Sequence, residues 1–276
     1  MVKSLQETKT FHNDVKMPYV GLGVYKLEER EEASKAIEFA IDYGYRSIDT
    51  AAMYQNEHIV GEVINHSSVP RKDLFITTKV WNDNQGYDST LRAFEKSLKQ
   101  LNLEYIDLYL VHWPVKQKYV ETWKAFERLY DEKLVRAIGV SNFQIHHLED
   151  IATHGNEKPV INQVELHPRL AQEELRQYCQ EQHIAVEAWS PIGRGRLLDE
   201  PTINHLADKY GKTPAQIILR WHLQNDIIII PKSVREERIK ENADLFDFEL
   251  SLHDMNDINA LNKNERFGAD PDHFDF

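Results

Sequence analysis

Short apolar runs alternate along this chain with longer stretches whose apolar residues recur at helical spacing, which predicts a series of strand-then-helix units. The series follows a polar opening, residues 5–17, in which Asn13-Asp14 is a turn signal between two strand-like pieces and predicts a small hairpin. Residues 19–24 read as the first strand, with Gly21 and Gly23 marking a close approach of other backbone. Ala33, Ala36, Ile37, Ala40 and Ile41 then form a helical stripe that Gly44 ends. Further strands are expected over 45–49, 74–80, 106–112, 135–140, 160–165, 184–188 and 227–230. Between them lie helices marked by Ile59, Val60, Val63 and Ile64, by Leu91, Phe94, Leu98 and Leu101 behind a cap at Asp88-Ser89, and by Trp123, Phe126, Leu129 and Tyr130. Others cover 145–153, the stretch with Leu175 and Cys179, and 236–245. After residues 194–198 come two helical segments, the second opening at Thr213-Pro214, a cap residue followed by proline at the first helical position. A last helix is expected over 251–261, before a polar and aromatic tail running to Phe276.

Eight such units, with no linker rich in Pro, Gly or Ser, favour one (β/α)8 TIM barrel over two doubly wound domains. The expectation is a single α/β domain over residues 1–276, with an N-terminal hairpin and extra helices near the C-terminus. Several strands are continuous apolar runs, as parallel strands buried on both faces should be.

Composition narrows the class of function. The 276 residues carry a net charge of −12, which opposes a nucleic-acid or anionic-membrane partner. No stretch is apolar enough to span a bilayer, and residues 1–5 lack the apolar region of a signal peptide, so a cytoplasmic setting is expected. Cys179 is the one cysteine and sits on a helix face, which predicts a buried, inert thiol. No spacing of His, Cys, Asp and Glu resembles a metal site, His146-His147 is expected on a helix surface, and Gly21-Leu22-Gly23 is no dinucleotide fingerprint. Monomer is the default.

In a barrel of this kind, residues at strand C-termini face one shared site. Asp49, Lys79 and His112 end three successive strands, and Tyr54 follows in the loop after the first of them. Singly they read as a solvated lysine, a packed tyrosine or a hydrogen-bonded histidine. Together they read as proton-transfer machinery. A lysine ammonium near a phenol favours the phenolate and lowers its pKa, an aspartate keeps the lysine charged, and a histidine can orient a carbonyl oxygen. Such a set protonates a developing alkoxide and leaves a hydride donor as the missing reactant.

The stretch Asp49-Thr50-Ala51-Ala52-Met53-Tyr54-Gln55-Asn56-Glu57 resembles the first signature of the aldo-keto reductases, in particular bacterial glyoxal, methylglyoxal and 2,5-diketo-D-gluconate reductases. Further matches are Ile138-Gly139-Val140-Ser141-Asn142-Phe143, Ile161-Asn162-Gln163-Val164-Glu165-Leu166-His167-Pro168, Ala188-Trp189-Ser190-Pro191-Ile192-Gly193, and Ile230-Pro231-Lys232-Ser233 with Arg238-Ile239-Lys240-Glu241-Asn242. The resemblance implies an NAD(P)H-dependent carbonyl reductase with Asp49, Tyr54, Lys79 and His112 as catalytic tetrad. It implies that Ser141, Asn142 and Gln163 hold the nicotinamide carboxamide, and that Trp189, where the family more commonly has Tyr, stacks on the ring. It places Ser190, Ile192 and Gly193 at the pyrophosphate and Glu241 with Asn242 at the adenine.

Lys232, Ser233 and Arg238 cluster after the eighth strand, where cations would suit the 2′-phosphate of NADP; the other reading is Ser233 as a helix cap and Arg238 as a solvated charge. With the matched segment in place NADPH is the expected cofactor, and NADH the second choice. Tyr25, Trp81, Trp113 and Phe143 follow strand ends and are candidates for an aromatic pocket or for roofing the barrel. The short loop over 113–118 predicts an open pocket for small aldehydes, α-dicarbonyls or keto sugars. Two competing functions remain: a Schiff-base aldolase or lyase using Lys79, and a non-catalytic NADPH-binding subunit.

Overall fold

In a computed structural model, which describes residues 2–274, β1 (Thr8–Thr10) and β2 (Lys16–Pro18) form the antiparallel hairpin, with Asp14 at φ 64° in its turn. The hairpin lies against the strand N-termini: Asn13 donates to the Arg136 carbonyl at 3.2 Å, and Lys9 pairs with Asp226. Eight parallel strands follow, each hydrogen-bonded to its sequence neighbour: β3 (Leu22–Gly23), β4 (Ser47–Asp49), β5 (Phe75–Val80), β6 (Ile106–Val111), β7 (Val135–Ser141), β8 (Ile161–Glu165), β9 (Ala185–Trp189) and β10 (Ile228–Ile229). The end strands meet. Val20 bridges Ile229, with Gly21 N–H donating to the Ile229 carbonyl and Ile229 N–H to that of Tyr19, both at 2.9 Å. The sheet thus closes into the expected barrel.

The apolar runs explain why the central strands are buried throughout, as β5 and β6 are. The outer ring is built by α1 (Arg30–Tyr43), α2 (Glu57–His66), α3 (Tyr87–Leu101), α4 (Tyr119–Asp131), α5 (Ile145–His154), α6 (Glu173–Glu181), α8 (Pro214–Gln224) and α9 (Glu236–Ala243). Two further helices, α7 (Pro201–Tyr210) and α10 (Leu252–Asn259), pack on each other. Termini follow the local chemistry. Gly44, at φ 120°, ends α1 by donating to the Ala40 and Ile41 carbonyls, and α8 opens with a capping box between Thr213 and Gln216. The expected cap at Asp88-Ser89 is not formed. α3 begins earlier, after Gly86 at φ 114°, and the Ser89 hydroxyl bonds back to the Gln85 carbonyl at 2.9 Å.

Beyond α10 the chain returns to the C-terminal mouth of the barrel, where Phe267 and Gly268 donate backbone N–H groups to buried Glu165. The last two residues of the expected tail, Asp275 and Phe276, lie outside the described residues.

The seam between β3 and β10 sets a steric limit, because a Cβ on Gly23 would lie 2.8 Å from the Ile230 carbonyl oxygen. Gly23→Ala should therefore cost about 1–3 kcal/mol of stability, as overpacking does. A urea midpoint equal to that of wild type would show that the seam yields freely.

Candidate active site

The strand register brings the first group together. Asp49 closes β4 and pairs with Thr77 of β5, so Lys79, two residues further on, rises just past it. Lys79 is fully buried; its Nζ donates to Asp49 Oδ1 at 2.6 Å and to the Thr50 carbonyl at 2.9 Å. Tyr54 comes from a 3₁₀ turn, Ala52–Tyr54, which Gln55 ends in the left-handed region at φ 56°. Asn56 pins this loop: it accepts from Thr50 Oγ1 at 2.6 Å and donates to the Val24 and Leu27 carbonyls at 2.8 and 3.1 Å. The Tyr54 ring centroid lies 5.2 Å from Lys79 Nζ and 5.9 Å from the ring of His112, which follows β6. The four residues singled out in the sequence therefore share one place.

Their electrostatics follow from burial. Burial opposes the Lys79 charge, but Asp49, next to it, more than compensates and holds the ammonium above its ordinary pKa. His112 is pushed well below the ordinary histidine value by burial and then by the Lys79 charge, so its imidazole is neutral; its Nδ1 has no partner among the described residues. Tyr54 departs from the expectation. Lys79 does pull the phenol down, but burial outweighs it and Asp49 opposes it, so the pKa rises to about 12. The residue is half-buried, and its hydroxyl is desolvated enough to decide the sign.

The second group lies on the next strands. Ser141 Oγ donates to the Gln163 carbonyl at 2.8 Å. Asn142, left-handed at φ 64°, donates through Nδ2 to the His112 carbonyl at 3.0 Å and to Ser141 Oγ at 3.1 Å. Its Oδ1 accepts the indole N–H of Trp189 at 2.8 Å. Trp189 ends β9 and is half-exposed, with the Arg194 guanidinium 5.9 Å from its ring centre. Beyond it Ser190 (φ 50°) and Gly193 (φ 59°) make a tight turn in which Gly193 N–H donates to the Ser190 carbonyl at 2.8 Å, and Gly195 N–H to that of Ile192 at 3.0 Å.

At the end of β10, Lys232 and Arg238 are exposed and form no ion pair among the described residues. Ser233 accepts from Arg235 N–H at 3.1 Å in a local turn and is not the cap of α9, which starts behind Arg235. Asn242 is buried, and Glu241 accepts from Thr213 Oγ1 at 2.6 Å, joining α9 to the start of α8.

The family model of the aldo/keto reductases matches residues 20–263. The chain belongs to the aldo/keto reductase family. It is 57% identical over 272 residues to the glyoxal reductase of Bacillus subtilis (strain 168), covering 99% of each chain. It is 48% identical over 262 residues to methylglyoxal reductase DkgA of Escherichia coli (strain K12), covering 94% of each. Among solved structures, a variant of Gox0644 in complex with NADPH superposes with a TM-score of 0.94 at 43% identity, covering both chains fully.

Around the mouth of this aldo/keto reductase the candidate pocket aromatics divide. Tyr25 is 45% exposed with its ring 4.9 Å from that of Tyr54, and Trp81 packs edge-on to His112 at 5.1 Å. Trp113 is buried and stacks on Phe274 of the tail at 4.6 Å, whereas Phe143 is wholly enclosed by Tyr119 and His147 and lines no surface. Cys179 is buried as expected, its thiol pushed up to about 12. His147 is not on the helix surface: it is buried, and its Nδ1 accepts the Gln144 N–H in the cap of α5. The fold does draw His146 and His147 towards Asp272, a proximity invisible in sequence spacing, but that bond leaves the His147 proton on Nε2, the atom facing Asp272.

Two carboxyl groups escaped the sequence reading. Glu165 anchors the tail and pairs with His167 at 3.0 Å. Glu187 lies midway along β9, fully buried, and shares the Gln163 amide with Asp49. The available signal was a single charge inside an otherwise apolar strand.

Lys79→Met would leave the buried Asp49 carboxylate without its cation, and should lower the unfolding free energy by about 3–5 kcal/mol in urea titrations. A midpoint within error of wild type would show that the pair contributes nothing.

Proposed function

We propose that this aldo/keto reductase uses NADPH to reduce small aldehydes and ketones, α-dicarbonyls such as methylglyoxal and keto sugars foremost, to alcohols. The observation that carries the reading is a phenol that keeps its proton, Tyr54, set beside a charged Lys79–Asp49 pair and a neutral His112. The glyoxal and methylglyoxal reductases among its relatives support the substrate class, and the NADPH complex of its structural neighbour supports the cofactor.

The residues present fit such a cofactor. Trp189 offers a half-exposed indole face for the nicotinamide, and Asn142 keeps a free lone pair on Oδ1 beside Ser141 and Gln163 for the carboxamide. Ser190, Ile192 and Gly193 would meet the pyrophosphate, Lys232, Ser233 and Arg238 the 2′-phosphate, and Glu241 with Asn242 the adenine. Bound NADPH supplies the hydride. The protein supplies the proton and the geometry. Tyr54, a phenol protonated at neutral pH and more so for the burial that raises its pKa to about 12, delivers its proton to the carbonyl oxygen as negative charge develops there. Lys79 moderates the cost of the resulting phenolate, and Asp49 keeps Lys79 in place. Neutral His112 orients the substrate oxygen, while Tyr25, Trp81 and Trp113 bound the substrate.

Schiff-base chemistry at Lys79 is disfavoured by the same arrangement, since a buried ammonium held in an ion pair lacks the free amine needed for attack. A purely binding role leaves the Tyr54 acid without a purpose. The reading extends to one barrel domain acting as a monomer in the cytoplasm. The exposed large apolar residues Tyr25, Tyr43 and Leu252 stand apart, in the turn after β3, on α1 and on α10, and no helix among the described residues is long and apolar enough to cross a membrane.

Tyr54→Phe should lower kcat for NADPH-dependent methylglyoxal reduction by about a thousandfold while NADPH still quenches tryptophan fluorescence. Wild-type turnover in that variant would refute the acid role. Arg238→Ala should raise the NADPH KM about tenfold, the worth of one charge-assisted contact, and leave the NADH KM nearly unaltered. Equal changes for both cofactors would remove Arg238 from the 2′-phosphate site.

A further inference from the structure

The Gln163 side chain is committed in an unexpected direction. Its Nε2 donates one N–H to Asp49 Oδ2 at 2.8 Å and the other to Glu187 Oε2 at 2.7 Å. Asp49 uses its remaining oxygen to hold Lys79. Lys79, Asp49, Gln163 and Glu187 are thus one connected cluster spanning β4, β5, β8 and β9, each member almost or entirely withdrawn from solvent. The cluster contains one cation and two carboxyl groups. In so dry an interior it is electrically neutral only when one carboxyl keeps its proton. Asp49 lies against the Lys79 ammonium, so the proton belongs to Glu187. Its Oε1 has no partner among the described residues, and a neutral hydroxyl is far less costly to leave unpartnered there than an anionic oxygen.

We propose that Glu187 is a positioning residue for carbonyl reduction, a neutral acid that fixes Asp49, and through it Lys79, by way of the Gln163 amide. This rests on the carbonyl-reductase reading above. Burial and the nearby Asp49 charge push the Glu187 carboxyl up to about 8, with Gln163 and Lys79 pulling the other way. The charged groups acting on it are Asp49 of β4 and Lys79 of β5; its strand neighbours Gln163 of β8 and Ile228 of β10 carry no charge. When Glu187 loses its proton the cluster gains a net negative charge. The Tyr54 phenolate is then harder to form, and Tyr54 becomes a weaker acid. Reduction should slow as pH rises through that range. The amide orientation has a second consequence: both Gln163 N–H bonds are spent, so Gln163 meets a carboxamide only as an acceptor.

Glu187→Gln keeps an acceptor for the Gln163 amide and cannot ionise, whereas Glu187→Leu removes the acceptor as well. With methylglyoxal and saturating NADPH, wild-type kcat should fall at least threefold between pH 7 and 9, and Glu187→Gln should lose most of that fall. Glu187→Leu should lower kcat at pH 7 about tenfold with a much smaller change in the NADPH KM, a split that simple loss of folded protein does not produce. Superimposable pH profiles for wild type and Glu187→Gln, or an undiminished kcat in Glu187→Leu, would overturn the proposal. A second readout needs no activity. The folded chain keeps the Glu187 proton where the unfolded chain, at an ordinary value near 4.5, has released it, so wild type loses stability relative to Glu187→Gln as pH climbs towards about 8. The two melting temperatures should be close at pH 5 and separate by pH 9, with wild type the lower; parallel curves would refute the retained proton. Wild-type protein inactive towards every carbonyl tried would count against the reductase reading, while the melting curves would still decide the state of Glu187.

Discussion

A lysine ammonium held in the dry interior of a barrel constrains everything around it. Lys79 cannot stay charged there without Asp49, and the strand register exists in a form that sets the two 2.6 Å apart. The Thr50 carbonyl completes the Lys79 shell, which in turn fixes where the loop after β4 leaves the strand. Asn56 ties that loop back to the one after β3, so the position of Tyr54 follows from the needs of a cation that it does not touch through a strong bond. A site built this way is set by strand geometry, with its loop serving only to present the phenol.

The side proposed for the cofactor shows a similar economy of polar groups. Ser141, Asn142, Gln163 and Trp189 satisfy one another across β7, β8 and β9, so the residues proposed to meet the nicotinamide are held in place by one another. The indole is more than a flat surface, because its N–H selects one of the two orientations of the Asn142 amide. Preorganisation of this kind reduces the entropy lost when a flexible dinucleotide is captured.

Much of this was legible in the sequence, for definite reasons. Strands buried on both faces must be apolar runs, so the eight units and their order could be counted, and Asp49, Lys79 and His112 stood out as ionisable residues where such runs end. Glu187 was passed over because nothing local distinguishes a charge that meets partners from β4, β5 and β8 in space. The sign of the Tyr54 shift was misjudged for a related reason: pairwise charges can be guessed from neighbours, but the depth of burial that outweighs Lys79 belongs to the folded barrel. The start of α3 and the burial of His147 turned on a left-handed Gly86 and on a side-chain bond within a cap, details that periodicity does not encode. The uncommitted cations after β10 were visible as a cluster, while the commitment of Glu241 to Thr213 required α8 and α9 side by side.

The seam where Val20 meets Ile229 joins segments roughly two hundred residues apart, a closure that carries a real entropic cost and leaves the sheet open until nearly the whole chain is in place. An open sheet is hazardous because its edges can pair with other chains. Here those edges are β3 and β10, two residues each, the shortest strands of the eight. During folding the protein therefore shows passing neighbours very little backbone to copy, because the strands left at the edges are so short.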